Sequence, residues 1–159
     1  MKITINLKLY VKMNQLESRN FYVNNEEKYW SYIHTINWYK LTKTQDHISA
    51  RNNVTRTILN FNLSIEEMYE FYNWVVTKRE NLLMFIKGYL KGNKDIEKDY
   101  YLSDDVLWDL SAHIVGLGEA MYHYVIQSPS MIKLLYNDVV ENFEYPFHAA
   151  IEASQETDC

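Results

Sequence analysis

Two carboxylate–imidazole pairs sit close together in the chain: Asp109 with His113, and Glu119 with His123, each four residues apart. On one helix, at about 100° per residue, all four side chains fall within an arc of roughly 120°. Such a pair could hold a divalent metal or orient a general base. The span limits this chemistry, since Asp109 and His123 lie about 21 Å apart along a helix axis and cannot share one ion. The spacing also differs from the Glu-x-x-His pattern of di-iron bundles and from His-Glu-x-x-His. An ordinary polar helix face with i,i+4 pairs accounts for the same residues. A metal-dependent enzyme built on these four is therefore the alternative reading.

Other catalytic signatures are missing. Gly116-Leu-Gly118 lacks the third glycine and the preceding strand of a dinucleotide fingerprint. No phosphate-binding GxxxxGK[ST] or GxSxG elbow occurs. Cys159 is the single cysteine, which leaves no intramolecular disulfide and no multi-cysteine zinc site. The expectation is a non-enzymatic protein without a cofactor.

The elements that would carry these residues are mostly helical. Four Gly and two Pro in 159 residues leave few helix breakers. Ser64 and Glu67 form an S-x-x-E capping box that opens a helix to about Leu90. Met68, Tyr72, Val75, Leu82, Ile86 and Tyr89 make its apolar seam, interrupted by Arg79, which reads as snorkelling or paired. Ser103 begins a helix expected to run to residue 128, and Ser130 another to about Phe143. Pro146 should break that one before a short segment, Phe147 to Ala153.

The amino-terminal part reads differently. Residues 1–13 alternate apolar with polar, placing Lys2, Lys8 and Lys12 on one face of a strand. Arg19–Val23 and the β-branched stretch Val54–Asn62 are candidate partner strands. Asn25 is a candidate cap for a helix through about Tyr39, and 42–53 reads as a polar loop. The fold class expected is α+β: a small antiparallel sheet with one helix in a basic part, residues 1–63, then an acidic bundle of three to four helices, residues 64–159. No linker separates the parts, so one domain is expected.

Charge is sorted along this order. Residues 1–60 carry nine Lys/Arg against four Asp/Glu, whereas residues 95–159 carry two against thirteen, a net of −11. A field of that asymmetry steers a partner of opposite sign. Asp95, Glu97 and Asp99 precede Tyr100 and Tyr101, and Asp138, Glu141 and Glu144 share a helix face next to Tyr145. Tyrosines beside charge suit interface anchors, so these nine residues form the candidate partner-binding surface. The acidic half disfavours nucleic acid as a direct ligand. No segment approaches a membrane span, and the amino terminus lacks a signal-peptide apolar run. A cytoplasmic protein is expected.

Frequent Asn, Lys, Ile and Tyr with scarce Ala, Gly, Pro and Arg point to an AT-rich genome. With the acidic residues 95–144, this composition resembles the small acidic proteins that phages and mobile elements direct against host defences, especially anti-CRISPR proteins. That resemblance implies an inhibitor acting in the bacterial host cell on a basic nucleic-acid-handling protein such as a Cas nuclease. An immunity protein or antitoxin that neutralises a basic toxin fits the same physics.

Overall fold

The computed structural model describes residues 23–99, 102–136 and 143–157. They form an all-α protein, with no strand among the described residues. In chain order the helices are α1 (Val23–Ile36), α2 (Trp38–Thr44), α3 (His47–Asn60), α4 (Ile65–Gly92), α5 (Lys94–Asp99) and α6 (Asp104–Gly116). α7 (Glu119–Gln127), a 3-10 turn (Pro129–Met131), α8 (Ile132–Leu135) and α9 (Tyr145–Thr157) follow.

The α+β expectation is thus overturned. The strand of residues 1–13 lies outside the described residues, as does its return strand except for Val23, which opens α1. The third strand is plainly helical. Within α3, Ala50, Val54 and Ile58 recur at four-residue spacing and are buried together, a periodicity that outweighs the β propensity of the segment. Thr55 and Thr57 direct their hydroxyls to the carbonyls of Arg51 and Asn53, four residues back, which satisfies them inside the helix. The polar stretch read as a loop is helix except near Gln45 and Asp46. Asp46 caps α3 by accepting from the Ser49 backbone N–H and hydroxyl, and those bonds lower its pKa from the ordinary carboxylate value.

The 28-residue α4 is the spine. Its capping box forms as the sequence predicts: Glu67 N–H donates to Ser64 Oγ, and the Glu67 carboxylate accepts from Ser64 N–H. Met68, Phe71, Trp74, Val75, Leu82, Phe85, Ile86 and Leu90 are buried around several sides of the helix, and its most extensive packing is against α6. α9 covers α3 and α4, so the chain around residue 63 is not an architectural seam. The helix that Pro146 was expected to end runs through residues outside the described ones; Pro146 itself lies in the first turn of α9, where the missing N–H costs nothing. Helix continues to Thr157, beyond the expected end near Ala153.

Aromatic rings tie the amino-terminal helices to the spine. Lys78 of α4 places its ammonium 5.6–5.9 Å from the ring centres of Trp30, Trp74 and Tyr122, and it pairs with Glu26 of α1. The Glu26 carboxylate also accepts from the indole N–H groups of Trp30 and Trp74, at 3.2 and 3.1 Å. One lysine therefore pins α1 and α7 to α4.

The helix expected over 103–128 is two helices. Ser103 caps the first, accepting from Val106 N–H as predicted. At the break Gly118 has φ +105°, a left-handed conformation that favours glycine. A Cβ at Gly116 would stand 2.7 Å from Trp38 Cδ1 and 2.9 Å from Phe143 Cδ2. Both rings are fully buried, so neither can yield. The predicted helix from Ser130 is, in its described part, the 3-10 turn and α8.

Two glycine substitutions should therefore move stability in opposite directions. Gly116→Ala overpacks the Trp38–Phe143 contact and should cost about 1–3 kcal/mol. Gly88, inside α4, has open space around it, so Gly88→Ala should stabilise by about 0.5–1 kcal/mol through helix propensity. Thermal melts should show Gly116→Ala below wild type and Gly88→Ala above it. Equal melting points would refute the steric account.

Candidate functional site

The two carboxylate–imidazole pairs are not brought together. His113 is buried, 2% exposed, and its Nδ1 accepts from the Trp38 indole N–H at 3.0 Å. That bond needs an unprotonated Nδ1 and gives the imidazole a packing role. Glu119 and His123 lie beyond the helix break, on the surface, 3.8 Å apart. Among the described residues no three His, Cys, Asp or Glu side chains cluster so as to hold a metal ion. The missing side chain at Gly116 admits the chain's own Trp38 and Phe143.

The candidate partner-binding residues divide. Asp95 is exposed on α5, and Glu97 and Asp99 belong to the same helix. Tyr100, Tyr101, Asp138 and Glu141 lie outside the described residues. Tyr145 is 53% exposed at the start of α9. Glu144 departs from the expectation, because at 5% exposure it faces inward. Its Oε1 accepts from Arg79 Nε at 2.9 Å, and Arg79 is itself 2% exposed. The cation that interrupts the apolar seam of α4 is paired, not snorkelling. Its guanidinium also lies 3.4 Å from the centre of the Trp108 ring, a close cation–π contact from α6.

Above this pair opens a cleft of about 420 Å³, lined by Tyr72, Asp105, Trp108, Asp109, Glu144, Tyr145 and His148. Three helices build it. α4 contributes Tyr72, α6 presents Asp105, Trp108 and Asp109 at helical spacing, and α9 begins at Tyr145 and carries His148 one turn on. Tyr72 Oη and His148 Nε2 are hydrogen-bonded at 2.9 Å. Burial pushes the Tyr72 phenol above its usual pKa, the Glu144 charge adds to this, and Arg79 opposes it. Trp108 is 40% exposed at the rim. Of the cleft residues, the sequence singled out Glu144 and Tyr145 for binding and Asp109 for metal. Tyr72, Asp105, Trp108 and His148 were not identified for binding, and Arg79 on the seam, read as snorkelling or paired, was the one local signal of an acid near α4 here.

Chemically the cleft offers carboxylates, ring faces and a bonded Tyr–His pair. It is suited to holding a cationic group. No protein-family model, curated protein or solved structure matches the chain.

Removing one member of the buried pair should be far worse than removing both. Glu144→Ala strands the Arg79 charge and should cost about 3–5 kcal/mol, whereas Arg79→Met with Glu144→Leu should recover most of that loss. Denaturant midpoints of wild type and the two variants decide this, and a double variant no more stable than Glu144→Ala would contradict the pairing. Tyr72 supplies a second expectation. Its folded pKa is raised above the unfolded value near 10, so its contribution is complete below pH 10 and is lost as pH rises through the higher folded value. Tyr72→Phe should reduce the fall in melting temperature on the alkaline side of pH 10.

Proposed function

We propose that this chain is a non-enzymatic inhibitor, of anti-CRISPR-like character, that binds a basic nucleic-acid-handling protein through its acidic carboxyl-terminal helices. The observation carrying this reading is the cleft, in which Asp105 and Asp109 stand beside the half-exposed rings of Trp108 and Tyr145. Exposed Asp95 and Glu152 extend the negative surface of a region whose net charge is −11. Carboxylates accelerate encounter with a positive surface, and large, stiff rings supply contact area at low entropic cost. The burial of Glu144 narrows the surface: it belongs to the frame, and the exposed acids do the binding.

Association of this kind is salt-sensitive. A pull-down from the native host should recover a basic partner at low ionic strength and lose most of it at several hundred millimolar salt. Asp95→Lys combined with Asp105→Lys should weaken capture and inhibition at least tenfold, with the helical circular dichroism signal retained. Undiminished capture by that folded double variant would remove the acidic surface as the binding site.

A further inference from the structure

α1 is held at its two ends by unlike means. At its carboxyl end Asn37 has φ +53° and ψ +52°, a left-handed conformation that asparagine tolerates better than most residues. Its N–H donates to the Ile33 carbonyl and its own carbonyl accepts from Leu41 N–H, so α1 stops and α2 starts at this one residue. Trp38 follows at once, fully buried and bonded to His113, and it ties this joint to α6. The other end is held about 16 Å back along the helix axis, at the first turn. There the Glu26 carboxylate pairs with Lys78 and accepts from the indoles of Trp30 and Trp74.

The contact at the first turn depends on a charge. The Lys78 side chain is 13% exposed, and its ammonium faces the rings of Trp30, Trp74 and Tyr122. Aromatic faces attract a cation electrostatically, and more strongly as water is excluded. A neutral group of similar shape would fill the space but leave the Glu26 carboxylate without its counter-ion. Glu26 and Trp30 belong to α1, whereas Lys78 and Trp74 belong to α4 and Tyr122 to α7. We infer that Lys78 is a charge-operated latch. While Nζ is cationic the amino end of α1 stays docked; without that charge α1 swings out about Asn37 and the rest of the core stays folded. Trp30 and Ile33 also line a groove of about 590 Å³ between α1 and the turn from α6 to α7, so the latched helix is one wall of that groove.

The test is amide hydrogen exchange on the full chain, resolved helix by helix. Lys78→Met keeps an apolar stem and removes the charge. It should speed exchange in α1 at least about tenfold while α6 and α9 stay within about twofold of wild type. Lys78→Ala should show the same pattern. Added n-propylammonium, which replaces the missing part of the side chain, should restore protection to α1, whereas n-propanol, of similar size without charge, should not. Unchanged exchange of α1 in Lys78→Met would overturn the latch. So would acceleration of α1, α6 and α9 alike, outright loss of the fold included, because Lys78 would then hold the whole core. Rescue by n-propanol as complete as by n-propylammonium would overturn it too, since volume and not charge would seat the helix. Should Lys78→Ala alone fail to fold, Lys78→Met decides.

Discussion

Arg79 carries a charge into the interior where α4, α6 and the entry to α9 meet, and Glu144 is the group that lets it remain there. Desolvating two ions costs several kcal/mol each, and a single 2.9 Å contact with one unpaired Nη1 does not obviously repay this. Two well-packed apolar residues would serve stability at least as well. What the ion pair supplies is geometry. Glu144 must lie where Arg79 can reach it, and that fixes the point at which α9 begins. Trp108 must lie over the guanidinium, and that fixes the rotation of α6. The cleft between them follows from those two constraints.

A second constraint acts from the opposite side of α6. The Trp38 ring, bonded to His113 Nδ1 and pressed against Gly116, seats α2 on the end of α6. Phe143 packs tilted on the same ring at 5.3 Å and also meets Phe147. The residue before Glu144 is thus anchored by aromatic contacts, so the carboxylate is delivered to Arg79 by packing as well as by charge. Gly116 leaves no room for a side chain beneath Trp38 and Phe143, and the chain passes from α6 to α7 through Gly118, whose φ of +105° favours glycine.

Signals carried by adjacent residues were legible in the sequence. The capping box at Ser64, the cap at Ser103 and the apolar seam of α4 each depend on residues three or four apart, and each formed. Strand propensity at Val54–Asn62 misled because Val, Ile and Thr count toward β while Ala50, Val54 and Ile58 count toward a helix face. Burial against α9, a tertiary effect, decided between them. Glu144 misled for a related reason. Its neighbours describe a solvated acidic face, and only a cation 65 residues earlier turns it inward. The bond between Trp38 and His113 spans 75 residues, and that between Tyr72 and His148 spans 76. Local pattern has no access to such pairs. Arg79 was a partial exception, since pairing with an anion from elsewhere was one of the two readings that a cation on an apolar seam allowed.

The same pairing changes what the sorted charge means. Three bases of α4 are turned to internal use: Lys78 holds Glu26, Arg79 holds Glu144, and Lys87 holds Asp104 at 2.8 Å. The positive middle of the chain thereby works as a fastening for helices, and it neutralises two of the acids that make up the −11. At physiological ionic strength, charges act together only within about 8 Å. A partner therefore meets local groups of carboxylates, not the net charge of a chain segment. Asp105 and Asp109 are such a group, one turn apart on α6 and bordered by two rings. The long-range asymmetry read from the sequence can direct an approach, but the cleft framed by Arg79 and Glu144 is where that approach would find a geometry to match.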